Sequence, residues 1–346
     1  MQSEIDWLTQ FKPRIIKTVE LESYDEYEEK LDGHLPKRFY RTPSSKMPDL
    51  FSELQNNEHS SYITFCNDAV KEGFVPQYIS VLKKSFGKYV YHPEREAVVS
   101  KLLNYMGIPT TYNLVVKHSK IDGTANNHPS NEYETLSVDC IGENETFYSF
   151  EEVGVKTLHN VYGAVELIKK AFLKFGFDSK KKRNDNFNEV IEDFILSYMV
   201  RGYLLGDNDF RSRNLGLLYN SKTKHLKMVN YDYEQAFMSD MSVVLGDYKD
   251  YEEPTFLFIK KEYPKVYEKF MGYAKEFYSK LANIREIDLM RYFNKNLTQI
   301  FLLLKGNAGL ICDYDETLNK KIGKYGKISS ILSDASKKLK NDWLGM

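Results

Sequence analysis

The apolar pattern of this chain changes its period once, near residues 140–152, and that change bounds the folds open to it. Before it, short runs rich in Tyr, Ile, Val and Phe stand between turn residues and read as strands, at 61–66, 77–83, 112–117 and 133–140. Lys71-Glu72-Gly73 reads as the turn of a hairpin between the first two. One helix interrupts the series. Pro93-Glu94-Arg95-Glu96 suits a first turn, because proline is pre-set there and acidic residues complement the helix dipole. Val98, Val99, Leu102, Leu103 and Met106 then recur at helical spacing, and Gly107-Ile108-Pro109 stops the run. Residues 24–30 read as a helix with a solvated face, and Pro36, Pro43 and Pro48 punctuate a loop around 41–46. After the change, helices are expected at 161–175 and 187–205 and from 252 to the end, with short strands at 215–219 and 226–231. The expectation is an α+β chain in two lobes: a β-rich lobe over 1–145, whose first 75 residues carry no motif, and a helical lobe over 146–346.

Composition narrows the class. The 346 residues carry 48 Lys and Arg against 49 Asp and Glu, which argues against a generally basic nucleic-acid coat. Cys66, Cys140 and Cys312 are far apart with no C-x-x-C, so a disulfide framework and a cysteine zinc site are disfavoured and reduced thiols are expected. The first twelve residues hold Glu4 and Asp6 and no apolar signal core, and no apolar run approaches the roughly 20 residues of a membrane span. A cytoplasmic protein without membrane contact is expected. The seven histidines lack H-E-x-x-H spacing, and neither G-x-S-x-G nor G-x-G-x-x-G occurs. Zinc hydrolase, α/β-hydrolase and Rossmann readings are therefore unsupported. Aromatic residues reach 14%, which implies a ring-rich core and surface.

The segment with chemical content is Gly206-Asp207-Asn208-Asp209-Phe210-Arg211-Ser212-Arg213-Asn214. It follows the strongest helical pattern, is polar or turn-forming except for Phe210, and runs into the apolar Leu215-Gly216-Leu217-Leu218. Asp209 and Asn214 stand in D-x4-N spacing, and the return strand of the following hairpin ends in Asp232. Phosphoryl transfer needs this set: a carboxylate to orient the attacking hydroxyl, and an amide oxygen with a second carboxylate to hold Mg²⁺ on the phosphates. In that reading Asp209 is the base and Asn214 and Asp232 are the metal ligands. Asp and Asn also cap turns, so D-x4-N alone carries little; the helix–loop–strand–turn–strand–Asp order carries more.

The loop resembles the catalytic loop of HipA-like kinases, whose pattern is roughly G-N-x-D-x-H-x-x-N, and Val229-Asn230-Tyr231-Asp232 resembles the family's next motif. The run from Glu96 to Ile108 resembles the family's helix that begins with Glu and ends in L-G-I or L-G-L. The resemblance covers about residues 76–240. It implies a bilobal protein-kinase-like fold and a Ser/Thr kinase that moves the γ-phosphoryl of ATP to a protein hydroxyl with Mg²⁺, autophosphorylation included. It implies that Lys83, or Lys84 beside it, holds the ATP phosphates and pairs with Glu96. It implies that the backbone of Asp139, Cys140 and Ile141 contacts the adenine where the lobes join. HipA-like kinases act beside a DNA-binding antitoxin, so an antitoxin or regulatory partner is implied too.

This chain departs from the pattern in places. Arg211 stands where the family has His, Asp207 where it has Asn, and Tyr233-Glu234-Gln235 follows Asp232 in place of Phe-Gly. Arg211 reads either as a partner for a phosphorylated segment or as a support that bonds loop carbonyls. No glycine-rich phosphate loop is evident, since Gly73 and Gly87 are isolated. Two other readings stay open. One is a small-molecule or lipid kinase, with Asp250, Glu252 and Glu253 lining an amine pocket; the other is a pseudokinase that only binds.

Overall fold

Two sheets and eight α-helices make up the described part of the chain in the computed structural model. It describes residues 2–17, 25–27, 37–41, 77–83, 93–117, 133–141, 144–156, 158, 161–174, 185–207, 209–233, 235–237 and 249–325. The architecture mixes helix and sheet, as the change of period requires.

The larger sheet is built from β1 (Ile15–Lys17), β2 (Asp25–Tyr27), β3 (Lys37–Arg41), β4 (Gln77–Lys83), β5 (Tyr112–Lys117) and β6 (Tyr133–Ile141). Its order is β1-β5-β6-β4-β3-β2. Every neighbour is antiparallel except β1 on β5, where Ile15 faces Val115. The expected helix at 24–30 is corrected here: Asp25 to Tyr27 form an edge strand opposite Arg41 to Phe39. The acidic run is compatible with either state in isolation, and cross-strand pairing decides it. Strand β3 also shows that residues 37–41 belong to the sheet rather than to the proline-marked loop. The expected strand at 61–66 and its turn at 71–73 lie outside the described residues.

The second sheet joins β7 (Glu145–Ser149), β8 (Leu215–Asn220) and β9 (Leu226–Asn230) in that order, all antiparallel. Strand β7 was not expected. Two of its five side chains are exposed and the rest half-buried, so it lacks a clean apolar alternation. It is selected by its ladder to β8, from Glu145 on Asn220 to Ser149 on Gly216.

Helix α1 (Gln2–Thr9) opens the chain, and α2 (Pro93–Tyr105) links β4 to β5. Helix α2 is buried on almost every side, Glu96, Ser100 and Asn104 included. Its hydroxyl Ser100 Oγ donates to the Thr111 carbonyl at 2.6 Å and accepts the Asn113 N–H at 3.1 Å, which pins the helix to the start of β5. Gly107 ends α2 with φ +66°, a left-handed C-cap that favours glycine.

The helical part holds α3 (Val161–Lys174), α4 (Asp185–Met199), α5 (Lys249–Glu262), α6 (Pro264–Leu281), α7 (Glu286–Tyr292) and α8 (Lys295–Tyr325). No helix among the described residues is long and apolar enough to cross a membrane. One continuous hydrophobic cluster runs from Ile5 and Leu8 of α1 through α2 and α4 to Phe301 and Ile311 of α8. The motif-free N-terminus thus has a structural place. Trp7 and Phe11 pack edge-on against Tyr105 at the end of α2 and at a tilt against Phe277 of α6, with ring centroids 5.1–6.2 Å apart. Such ring clusters stabilise beyond their buried area and use part of the 14% aromatic content.

Candidate active site

Arg201 organises the site. It lies in a π-helical turn, Val200–Leu204, that continues α4, and its side chain is fully buried. The wider turn is closed by the Leu205 N–H on the Val200 carbonyl at 2.9 Å, and Asn307 of α8 donates to the Leu204 carbonyl at 3.1 Å. Inserting one residue into the helical ladder re-aims the side chains, and such turns recur at functional sites.

The Arg201 guanidinium donates to Asp207 Oδ2 through Nε at 2.8 Å and Nη2 at 2.5 Å. It also reaches backbone carbonyls on both sides of the site: Asn214 at 3.3 Å, Tyr231 at 3.4 Å and Asp232 at 2.9 Å. Phe210 and Tyr233 cover its faces, with ring centroids 5.0 and 4.8 Å away. A buried charge is tolerated only when paired and hydrogen-bonded, and every contact of this one holds the loop or the strand beyond it. Burial pushes the Asp207 carboxyl up, while Arg201 and the Asp209 N–H on Asp207 Oδ1 at 3.0 Å draw it down.

The loop begins at Gly206 with φ +55° and ends in one 3₁₀ turn, Ser212–Asn214, before β8. Asp209 and Asn214 are both buried and in contact. Asn214 Nδ2 donates to the Asp209 carbonyl at 2.8 Å and to its Oδ2 at 3.0 Å. The other carboxylate oxygen, Asp209 Oδ1, is buried and not bonded by Asn214. Arg211 Nε forms an ion pair with this oxygen, and Arg213 Nη2 lies 3.9 Å from Oδ2. Arg211 is half-exposed, and among the described residues the bonds to the Asn214, Tyr231 and Asp232 carbonyls come from Arg201.

The hairpin β8–β9 brings Asp232 back to the loop, with Leu215 facing Asn230 and the Tyr231 N–H on the Asn214 carbonyl at 3.2 Å. Asp232 has φ +62°, a left-handed conformation that Asp tolerates better than most residues. Its carbonyl is held there by Arg201. Strand β9 is also tied to the start of β5. Asn230 donates to the Pro109 carbonyl and to Ser197 Oγ, both at 2.9 Å, and the Thr111 N–H reaches the Asn230 carbonyl at 3.0 Å.

Tyr233 occupies the place after Asp232. It is fully buried, its hydroxyl donates to the Asn230 carbonyl at 2.5 Å and also bonds Thr110 Oγ1, and burial raises its pKa. Glu96 Oε1 accepts the Tyr233 N–H at 3.3 Å, so α2 is joined directly to the Asp232 segment. Tyr233→Phe should cost about 1–2 kcal/mol, because Thr110 loses a buried partner. Urea unfolding checks it, and an unchanged midpoint would remove the hydroxyl from this network.

The remaining expected site residues are placed by backbone alone. Lys83 ends β4, between Lys37 on β3 and Thr135 on β6. Its side chain, and all of Lys84, lie outside the described residues. Asp139, Cys140 and Ile141 end β6 and pair with Ile79, Tyr78 and Gln77 of β4. On the other side β6 pairs with β5 only as far as Val138, opposite Tyr112. Asp250, Glu252 and Glu253 fall in α5, with side chains outside the described residues.

Among the described residues no group of three or more His, Cys, Asp or Glu forms a metal cluster. Nδ2 of Asn214 is committed to Asp209, which leaves its Oδ1 as the other polar atom of that side chain. Arg201 was the functional residue missed in the sequence. Its signal was a single cation inside the apolar run Met199-Val200-Arg201-Gly202-Tyr203-Leu204.

No protein-family model and no curated protein matches the chain. Among solved structures it is similar to the crystal structure of the Helicobacter pylori proinflammatory kinase CtkA, at 13% identity and a TM-score of 0.40. The similarity covers 76% of this chain and 93% of that one.

Proposed function

We propose that the chain is a HipA-like Ser/Thr protein kinase with a bilobal kinase fold, dividing near residue 145, that transfers the γ-phosphoryl of ATP to a protein hydroxyl. One observation carries this reading. A single buried guanidinium, Arg201, gathers the D-x4-N loop and the Asp232 backbone, while Glu96 of α2 bonds the next residue. A carboxylate with one oxygen left by Asn214, an amide oxygen and a second carboxylate then stand on adjoining segments.

In this reading Asp209 Oδ1 takes the acceptor proton as the acceptor oxygen bonds to γ-phosphorus and the bond to the ADP oxygen breaks. Asn214 and Asp232 hold Mg²⁺, which supplies charge neutralisation on the phosphates. Lys83 at the end of β4 precedes the glutamate helix, the order expected of the lysine–glutamate pair. The backbone of Asp139 to Ile141, not laddered to β5, is offered to the adenine. Catalysis is then mostly positioning and electrostatics. An antitoxin or regulatory partner remains part of the proposal, by the family resemblance alone.

The test is incubation of the purified chain with labelled ATP and Mg²⁺, followed by mass spectrometry of any modified Ser or Thr. Label on the protein or on a generic protein acceptor is the expected result. A thermal scan runs beside it. ATP with Mg²⁺ at about 100 times Kd should stabilise by roughly 2.7 kcal/mol. A shift without transfer supports a binding module instead, and no shift at millimolar ATP removes the nucleotide site.

A further inference from the structure

Two arginines of the loop are not needed to hold it. Arg211 and Arg213 have side chains 54% and 50% exposed, whereas the Asp209 carboxylate they flank is 5% exposed. The loop is already fixed from below by Arg201, Asn214 and Phe210. Between the two arginines, buried Ser212 donates its hydroxyl to the Lys156 carbonyl at 3.2 Å, and the Lys156 side chain is exposed. Two exposed arginines therefore flank one buried carboxylate. Glu152 Oε2 accepts from the N–H and hydroxyl of Ser149. Tyr231 donates its hydroxyl to the Arg213 carbonyl, which fixes the backbone from which that side chain projects.

This arrangement has a chemical consequence. Arg211 sits on the Asp209 oxygen that Asn214 does not hold. While it stays there, an acceptor hydroxyl cannot bond that oxygen. An acceptor must draw Arg211 away, and a carboxylate or phosphate beside the hydroxyl does so best. It offers a guanidinium two parallel charge-assisted bonds in place of one ion pair. A lysine or arginine beside the hydroxyl is repelled by the same two guanidinium groups.

We propose that Arg211 and Arg213 form an anion clamp that selects acceptor hydroxyls flanked by a carboxylate or a phosphate. This deepens the protein-kinase reading and rests on it for the transfer step, but binding by the clamp is measurable without transfer. Displacement of Arg211 by the anion uncovers Asp209, so the selecting contact and the readiness of the base are coupled.

The experiment uses the full chain and synthetic peptides with one Ser, flanked by Glu, by phosphoserine or by Lys. Transfer is followed with ATP and Mg²⁺, and binding by fluorescence anisotropy without nucleotide. Acidic or phosphorylated flanks are expected to raise kcat/KM, and to tighten binding, about ten- to a hundredfold over Lys flanks. Phosphoserine above Glu assigns a phosphate, and the reverse order a carboxylate. Arg213→Glu, at a half-exposed position, should keep the thermal midpoint and invert the preference toward Lys flanks.

Transfer without charge preference, or with a Lys preference, overturns the clamp alone. So does an order unchanged in Arg213→Glu. Tighter binding of acidic peptides that Arg213→Glu abolishes, with no transfer to any peptide, supports the clamp and overturns the kinase reading. Neither transfer nor charge-dependent binding overturns both.

Discussion

Asp209→Ala is expected to lower phosphoryl transfer by roughly 10²–10⁴-fold, the usual worth of a positioned proton acceptor. The argument is geometric. The Asp209 carboxylate is buried, its Oδ2 is held by Asn214, and its Oδ1 meets only the half-exposed Arg211. Loss of the carboxylate leaves the loop's other anchors in place, so the fold should survive and nucleotide should still raise the thermal midpoint. Asp209→Asn is the sharper variant, since it keeps shape and removes the proton acceptor. Initial rates with labelled ATP decide the matter. Transfer at the wild-type rate in either variant would take Asp209 out of the reaction.

Arg201→Met is expected to destabilise the chain by about 3–5 kcal/mol, because it leaves Asp207 as a buried carboxylate without its cation. The methionine fills much of the same space between Phe210 and Tyr233, so the loss is mainly of charge pairing and of the bonds to three carbonyls. Denaturant unfolding measures it. The double variant Arg201→Met with Asp207→Leu should recover a good part of that stability, since replacing a whole buried pair is far less costly than breaking it. It should not recover transfer, because nothing then holds the Asp232 carbonyl to the loop. A single variant as stable as wild type would show that the buried pair does not organise the site.

Much of the fold was legible because it is written in local patterns. Helix α2 begins at Pro93 and ends at Gly107, as the proline, the acidic first turn and the glycine stop required. Strands β5, β6, β8 and β9 fall within a residue of the expected runs. The loop with Asp209 and Asn214 was legible because a stretch that is polar or turn-forming except for Phe210 stands between an apolar helix and an apolar strand.

Other elements were not legible, for a common reason. Asp25 to Tyr27 became a strand and β7 joined β8 through partners distant in the chain, which no local window contains. The contacts of Arg201 with backbone carbonyls were not legible either, because burial decides which arginine makes them. Burial here depends on a π-helical turn and on packing by α8.

The sequence by itself determined the order of elements, the polar loop and the residue types available for phosphate chemistry. Helix and strand periods, and the φ preferences of Gly and Pro, act within a few residues and are visible there. Only the tertiary structure decided that Asp209, Asn214, Asp232 and Glu96 share one network, and that Arg201 is its centre. A buried ion pair forms only where several segments exclude water together, and that is a property of the packed chain rather than of any one segment.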